Sequence, residues 1–170
     1  MKLAIVGTGG QGRVVLDCAR SVGKWECIEF YDDRYPEQTD AYGYPVLGKA
    51  SDLSDVDSQD VIVAIGNNRI RTLFSHQLIA AGHTLVTLVH PSAVVVGDAE
   101  IGTGSVVLAN AVISTGAVVG SNSIINTAAT VDHDCSIGEG THICPGVNVA
   151  GEVVIGTNCW IGIGASIVQG

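Results

Sequence analysis

Aromatic side chains are few in this chain: two Trp, four Tyr and two Phe among 170 residues. A core with so few rings must be built from Val, Ile, Leu and Ala, which favours regular, closely spaced backbone. Positive charge is also scarce, with eight Lys and Arg against seventeen Asp and Glu, a net charge of −9. Without a basic run or stripe, nucleic acid is not an expected partner. Every apolar stretch is broken by Gly, Asn or Asp before the roughly 18 residues a membrane span needs, so no insertion in a membrane is expected. The opening MKLAIVGTGG lacks the length and cleavage-site pattern of a secretory signal. No CxxC pair occurs. The five cysteines (Cys18, Cys27, Cys135, Cys144 and Cys159) are odd in number and read as free thiols of a reducing, cytoplasmic compartment. His133-x-Cys135 and His142-x-Cys144 lack the close ligand pairs of a zinc site, so no metal is expected.

What the chain does have is apolar material, 46% of residues with only 15% charged, enough for a packed core rather than disorder. From Val89 every sixth residue is aliphatic, through Ile101, Ile113, Ile125, Val131, Ile137, Ile143, Val149 and Ile155 to Ile167, fourteen positions without an exception. Four places after each stands a small residue or Val, as in Ala111, Ala129, Cys135 and Thr141, and Gly often follows directly, as in Gly102, Gly120 and Gly138. One large and one small inward residue in every six build the flat side of a prism, and the Gly, Asn and Asp between them turn its corners. Three sides make a coil, and coils stack into a parallel β-solenoid over residues 89–170.

Residues 1–88 alternate differently. KLAIVG, ECIEFYDD and DVIVAIG read as strands, and TLVTLVHP as a fourth. QGRVVLDCARSVG reads as a helix with Val14, Val15, Cys18 and Ala19 on its buried face and Gly23 at its stop. NNRIRTLFSHQLIAAGH reads as a second helix, with Asn at its start and Gly82 at its end. The expected fold is α/β plus β: a small Rossmann-like parallel α/β domain followed by the solenoid.

Gly7-x-Gly9-x-x-Gly12 joins the first strand to the first helix, the context of a phosphate-cradling turn. Asp32 and Asp33 end the second strand, where an acidic residue could hold a ribose hydroxyl, and Gly66-Asn67-Asn68 follows the third. The three loops converge at the carboxyl ends of a parallel sheet, the usual crevice for ligands. A full dinucleotide fold needs two such halves and a hydride-transfer domain, so a mononucleotide or nucleotide sugar fits better than NAD. The bland alternative is that the glycines only make a tight turn.

In the solenoid register Val131 and Cys135 point inward, and Asp132, His133 and Asp134 are displayed at a corner between them. The triplet is either a solvated corner or a general base with a carboxylate that sets its tautomer. After the junction residue His90 the solenoid holds one other histidine, His142, nine residues on. That spacing is read as placing the two near each other along the prism axis.

The stretches GTGGQG, YDD, AIGNNRIR, HPSA, INTAATVDHDCSIG and AGEVVIGTNCWIG, taken in order, resemble the hexapeptide-repeat nucleotide-sugar acetyltransferases. Those are bacterial enzymes of bacillosamine and perosamine synthesis and their sialic acid O-acetylating relatives, and the likeness is strongest to the bacillosamine-pathway UDP-4-amino-sugar enzymes. The resemblance implies a left-handed β-helix and acetyl-CoA-dependent N-acetylation of the C4 amine of a nucleotide-linked 4-amino-4,6-dideoxy sugar. Acetylation at oxygen of a sugar or sialic acid is the alternative within the fold. The resemblance makes His133 the general base with Asp134 as its partner. It gives Asn126 to the sugar and Gly9, Asp32, Asp33, Ile65, Gly66 and Asn67 to the nucleotide. His142, Gly151 and Ile155 go to acetyl-CoA, the Gly151 N–H facing the developing oxyanion. It also implies a homotrimer with sites between solenoids. Family members continue for further coils beyond the position of Gly170, so the coenzyme pocket is expected to lack a part, and nucleotide-sugar binding without turnover is the third reading.

Overall fold

A computed structural model describes residues 1–169. The chain divides into two compact units between Val86 and Thr87. The first is an α/β unit whose sheet runs β1 (Lys2–Val6), β2 (Cys27–Tyr31), β3 (Asp40–Ala41), β4 (Tyr44–Gly48), β5 (Asp60–Val63) and β6 (Thr84–Leu85) in the spatial order β3-β4-β2-β1-β5-β6. All its pairings are parallel except the β3–β4 hairpin. Leu3, Ala4, Ile5 and Val6 of β1 and Val61, Ile62 and Val63 of β5 are buried, as continuous apolar central strands covered on both faces should be.

Helix α1 (Gly10–Val22) ends at Gly23, whose φ of 68° and N–H bond to the Ala19 carbonyl make the left-handed cap its sequence predicts. Its buried stripe is Gly12, Val15, Leu16, Cys18 and Ala19. Val14, expected on that face, is instead 41% exposed. The i, i+3, i+4, i+7 set that meets the sheet starts from Gly12 and passes through Leu16, which turns Val14 outward. Helix α2 (Asn68–Ala80) starts where Asn67 Oδ1 accepts the Ile70 N–H.

Two features depart from expectation. The β3–β4 hairpin turns on Tyr42 and Gly43, both with positive φ (57° and 81°), the primed two-residue turn that suits twisted strands. The run TLVTLVHP is not one strand. β6 ends the α/β sheet, whereas β7 (Leu88–Val89) pairs with Val106–Val107 and opens the solenoid.

The second unit carries two-residue strands from β7 to β20 (Ser166–Ile167), stacked into three parallel sheets of five, five and four strands. Register advances by one coil at every step: Val107 pairs with Ile125, Ile125 with Ile143, and Ile143 with Ile161. The result is the left-handed parallel β-helix. Ile113, Ile125, Val131, Ile137 and Ile143 fill its axis with the small residues Ala111, Ala117, Ala129 and Cys135 between them. Each such aliphatic side chain contributes about 1.5–3 kcal/mol by leaving water. At one corner, inward hydroxyls replace alanine and link coils: Ser105 accepts from the Ser123 N–H and donates to the Gly120 carbonyl. Thr141 repeats the motif with Cys159 and Gly156. Gly138 permits the close approach of coils, since a Cβ there would lie 2.6 Å from the Gly156 carbonyl carbon.

Candidate active site

Asp132, His133 and Asp134 form the corner between β14 (Thr130–Val131) and β15 (Ser136–Ile137), with Val131 and Cys135 buried on either side. Asp134 has φ 56°, and the equivalent corner positions one coil below and above, Gly116 and Glu152, share that left-handed conformation. Aspartate tolerates it better than most residues. The turn curls the Asp134 carboxylate back over its own neighbour, so that His133 Nδ1 and Asp134 Oδ2 lie 2.8 Å apart. The His133 N–H donates to Asp132 Oδ1 at 2.8 Å, and the His133 carbonyl accepts from the Glu152 N–H at 2.8 Å, which fixes the backbone beneath the ring.

Two glycines make the room for this pair. A Cβ on Gly116 would lie 2.5 Å from Asp134 Oδ1, and one on Gly151 would lie 2.4 Å from His133 Nε2. The imidazole thus rests directly against Gly151, one coil above. The Gly151 N–H makes no hydrogen bond among the described residues. With Nδ1–H given to the carboxylate, Nε2 keeps its lone pair for a proton from outside. The hydrogen bond to Asp134 raises the His133 pKa above its ordinary value, slight desolvation opposes this, and the charges of Asp132, Asp134 and Glu152 add to the rise. The two side chains remain 47% and 64% exposed. Nothing else at the corner competes as a nucleophile: the Cys135 thiol points inward, donates to the Ala150 carbonyl, and is pushed up in pKa mainly by burial.

His142 is not beside His133. It opens β16 (His142–Ile143), in the sheet that also holds β13 (Ile124–Ile125), whereas His133 sits at the corner joining the other two sheets. Nine residues are half of a coil, and half a coil of a triangular prism leads from a corner to the opposite side, not to a neighbour along the axis. On that side His142 Nε2 lies 2.9 Å from Asn126 Nδ2, and the His142 ring meets Trp160 edge-to-face at 4.4 Å. Asn126 and His142 are therefore together, with Trp160 as an unforeseen third member. Ile155, expected at the coenzyme, packs in the solenoid core and is 7% exposed.

In the α/β unit the glycine turn brings β1 and α1 close together. Gly7 has φ 104°, and a Cβ on Gly12 would sit 2.1 Å from the Gly7 carbonyl oxygen, so helix and strand approach closely only with glycine there. Gly9, Ile65 and Gly66 line a cavity of about 380 Å³ with Asp32 and Arg34, and Asp33 and Ile65 line a second of about 150 Å³ with Phe74. Asp32 is not idle. Its carboxylate accepts from the Thr8 N–H (2.7 Å), the Thr8 hydroxyl (2.8 Å) and Arg34 Nε (2.9 Å). Partial burial pushes its pKa up, but the Arg34 and Thr8 hydrogen bonds outweigh that and hold it well below the carboxylate range. Asp33 is exposed beside it. The Asn67 side chain is engaged in capping α2, where it accepts the Ile70 N–H. Thr8, Arg34 and Tyr42, whose hydroxyl donates to the Thr8 carbonyl at 2.8 Å, complete the loop, and the sequence motifs do not include them. The Tyr42-Gly43 turn that folds this segment back carries no Asn-Gly or Asp-Gly signature in the sequence. Among the described residues no helix is long and apolar enough to cross a membrane.

Known proteins share both units. The PglD N-terminal domain family matches residues 2–78. GDP-perosamine N-acetyltransferase of Escherichia coli O157:H7 is 33% identical over 98% of this chain and 77% of its own length. The acetyltransferase domain of PglB from Neisseria gonorrhoeae FA1090, solved in complex with acetyl coenzyme A, superposes with a TM-score of 0.95 at 44% identity, covering 99% of this chain and 82% of that one. A histidine-to-asparagine variant of perosamine N-acetyltransferase from Caulobacter crescentus, solved with CoA and GDP-perosamine, gives a TM-score of 0.86 at 28% identity, covering 99% of this chain and 89% of that one.

Proposed function

The chain belongs to the hexapeptide-repeat nucleotide-sugar N-acetyltransferases, and we propose that it moves the acetyl group of acetyl-CoA onto the C4 amine of a nucleotide-linked 4-amino-4,6-dideoxy sugar. The observation that carries this reading is the His133–Asp134 pair lying against Gly151. His133 Nε2 takes a proton from the amine as its nitrogen bonds to the thioester carbonyl carbon. Asp134 holds the ring's tautomer and stabilises the imidazolium. The Gly151 N–H faces the charge that grows on the carbonyl oxygen, and the proton held by His133 can then pass to the departing thiolate. General-base help of this kind is typically about 10²–10⁴-fold, and positioning of the two substrates supplies much of the rest. An amine attacking a thioester needs deprotonation and orientation, so neither a nucleophilic cysteine nor a metal has a step to perform.

The glycine turn, Asp32, Asp33 and the Ile65–Asn67 segment hold the nucleotide in this reading. The aminosugar is offered acetyl-CoA, and the product is treated with mild base. A base-stable amide supports N-acetylation, and a base-labile ester contradicts it.

Placement of His142 and Asn126 opposite His133 supports a shared site. If one reaction uses both groups, they must come from different copies of the chain, and a cyclic homotrimer closes such a contact three times. Co-expressing His133→Ala with His142→Ala tests it. With random mixing, about a quarter of the interfaces would pair an intact His133 with an intact His142. Recovered turnover from two inactive variants supports the trimeric site, and none from the mixture contradicts it.

A further inference from the structure

Arg71 is 1% exposed, which makes it the largest fully buried side chain of the molecule's described residues. It stands in the first turn of α2 and reaches back under the loop that precedes it. Nη1 donates to the Ile65 carbonyl at 2.9 Å and to the Gly66 carbonyl at 3.4 Å, and Nη2 donates to Asn68 Oδ1 at 2.9 Å. Its own N–H donates to the Asn67 carbonyl at 2.9 Å. Burial lowers its pKa to about 10, so it stays cationic at neutral pH.

The consequence follows from peptide geometry. A trans peptide points its C=O and its N–H in opposite directions. Turning the Ile65 and Gly66 carbonyls down onto the guanidinium turns the Gly66 and Asn67 N–H groups away from it. Neither N–H makes a hydrogen bond among the described residues. Ile65 and Gly66 line the 380 Å³ cavity together with Gly9 and Arg34. No Cβ at Gly66 stiffens the loop, and nothing lies within 4 Å of where one would be. We propose that Arg71 is a positioning residue that presents the Gly66 and Asn67 N–H groups as a paired donor for the nucleoside diphosphate part of the substrate. This rests on the nucleotide-sugar reading above. In a chain of net charge −9, the buried guanidinium also places positive potential beneath a doubly charged ligand.

The test uses the full chain and titrates it with UDP and with GDP, alongside steady-state kinetics. Arg71→Lys keeps the charge but loses the planar fork that spans a carbonyl and an amide. Its Kd for the nucleoside diphosphate and its KM for the nucleotide sugar should rise about tenfold or more, with kcat and the KM for acetyl-CoA within about twofold of wild type. Asn68→Ala leaves the arginine in place and removes one anchor, so a smaller rise of about threefold is expected even if the lysine variant fails to fold. Wild-type nucleotide affinity in Asn68→Ala or in a folded Arg71→Lys overturns the inference, as does an equal rise in the KM for acetyl-CoA. A wild-type chain that binds neither UDP nor GDP overturns the nucleotide-sugar reading itself. Binding that survives the substitutions overturns the Arg71 inference alone.

Discussion

Gly151→Ala separates the geometry of the dyad from the stability of the coil. The added Cβ would lie 2.4 Å from His133 Nε2, 2.6 Å from Cε1 and 2.8 Å from Cδ2. Ordinary contact begins near 3.5 Å, so the ring must retreat by about 1 Å. The backbone is not the obstacle, because Gly151 does not adopt positive φ. The ring is the part that yields: it is the half-exposed end of a side chain, held by the one 2.8 Å bond to Asp134. A misplacement of about 1 Å in a reacting group can cost roughly 10²-fold, or about 2.7 kcal/mol of transition-state stabilisation. Thiol release from acetyl-CoA should therefore fall about 10²-fold in kcat, while the melting temperature moves by no more than about 2–3 °C. Gly162→Ala, with nothing within 4 Å of its Cβ, serves as the silent control. Wild-type kcat in Gly151→Ala would refute the placement of His133 against this glycine. Loss of activity together with cooperative unfolding would refute the claim that only the ring moves.

Two further outcomes follow from the same structure. Because the Asp134 hydrogen bond raises the His133 pKa above its ordinary value, and because the base must be neutral to act, the acid limb of the kcat/KM profile should lie at higher pH than a free imidazole would give. Asp134→Asn should move that limb to lower pH and lower the plateau, and a limb that stays in place would mean that the carboxylate does not set the base. Gly138→Ala would force a Cβ to 2.6 Å from the backbone of Gly156 and Thr157. Backbone cannot swing aside as the imidazole can, so thermal unfolding should show a loss of about 1–3 kcal/mol, against almost none for Gly162→Ala.

The solenoid was legible because each six-residue side repeats one physical demand, a large and a small residue inward, so every position carries its own evidence. The same register put His133 and Asp134 outside and Gly151 one coil above them. Only the structure shows that Asp134 reaches His133 by adopting the left-handed conformation, since contact between adjacent residues depends on φ rather than on spacing. The nine-residue spacing of His133 and His142 is half a coil, a step across the prism rather than along its axis. The same repeat turns the Ile155 side chain into the core. In the α/β unit the long elements were legible and the short ones were not. Asp40–Gly48 gives only a two-residue and a five-residue strand around a tight turn, too little for a periodic signal. Thr8, Arg34 and Tyr42 meet across 26 to 34 residues of sequence, and no local pattern announces such contacts. Arg71 could have been suspected from AIGNNRIR, where an arginine stands one helical turn after the capping asparagine.

Acetyl transfer to a nucleotide-linked amine is assigned to His133 as the base. The most direct measurement is thiol release from acetyl-CoA in the presence of UDP- and GDP-linked 4-amino-4,6-dideoxy sugars, by the wild-type chain and by His133→Ala. Turnover with one of these sugars is expected, with a loss of about 10²–10⁴-fold in kcat in the variant and the coil still folded because the ring lies outside it. A His133→Ala chain that acetylates the same sugar at the wild-type rate would contradict the assignment.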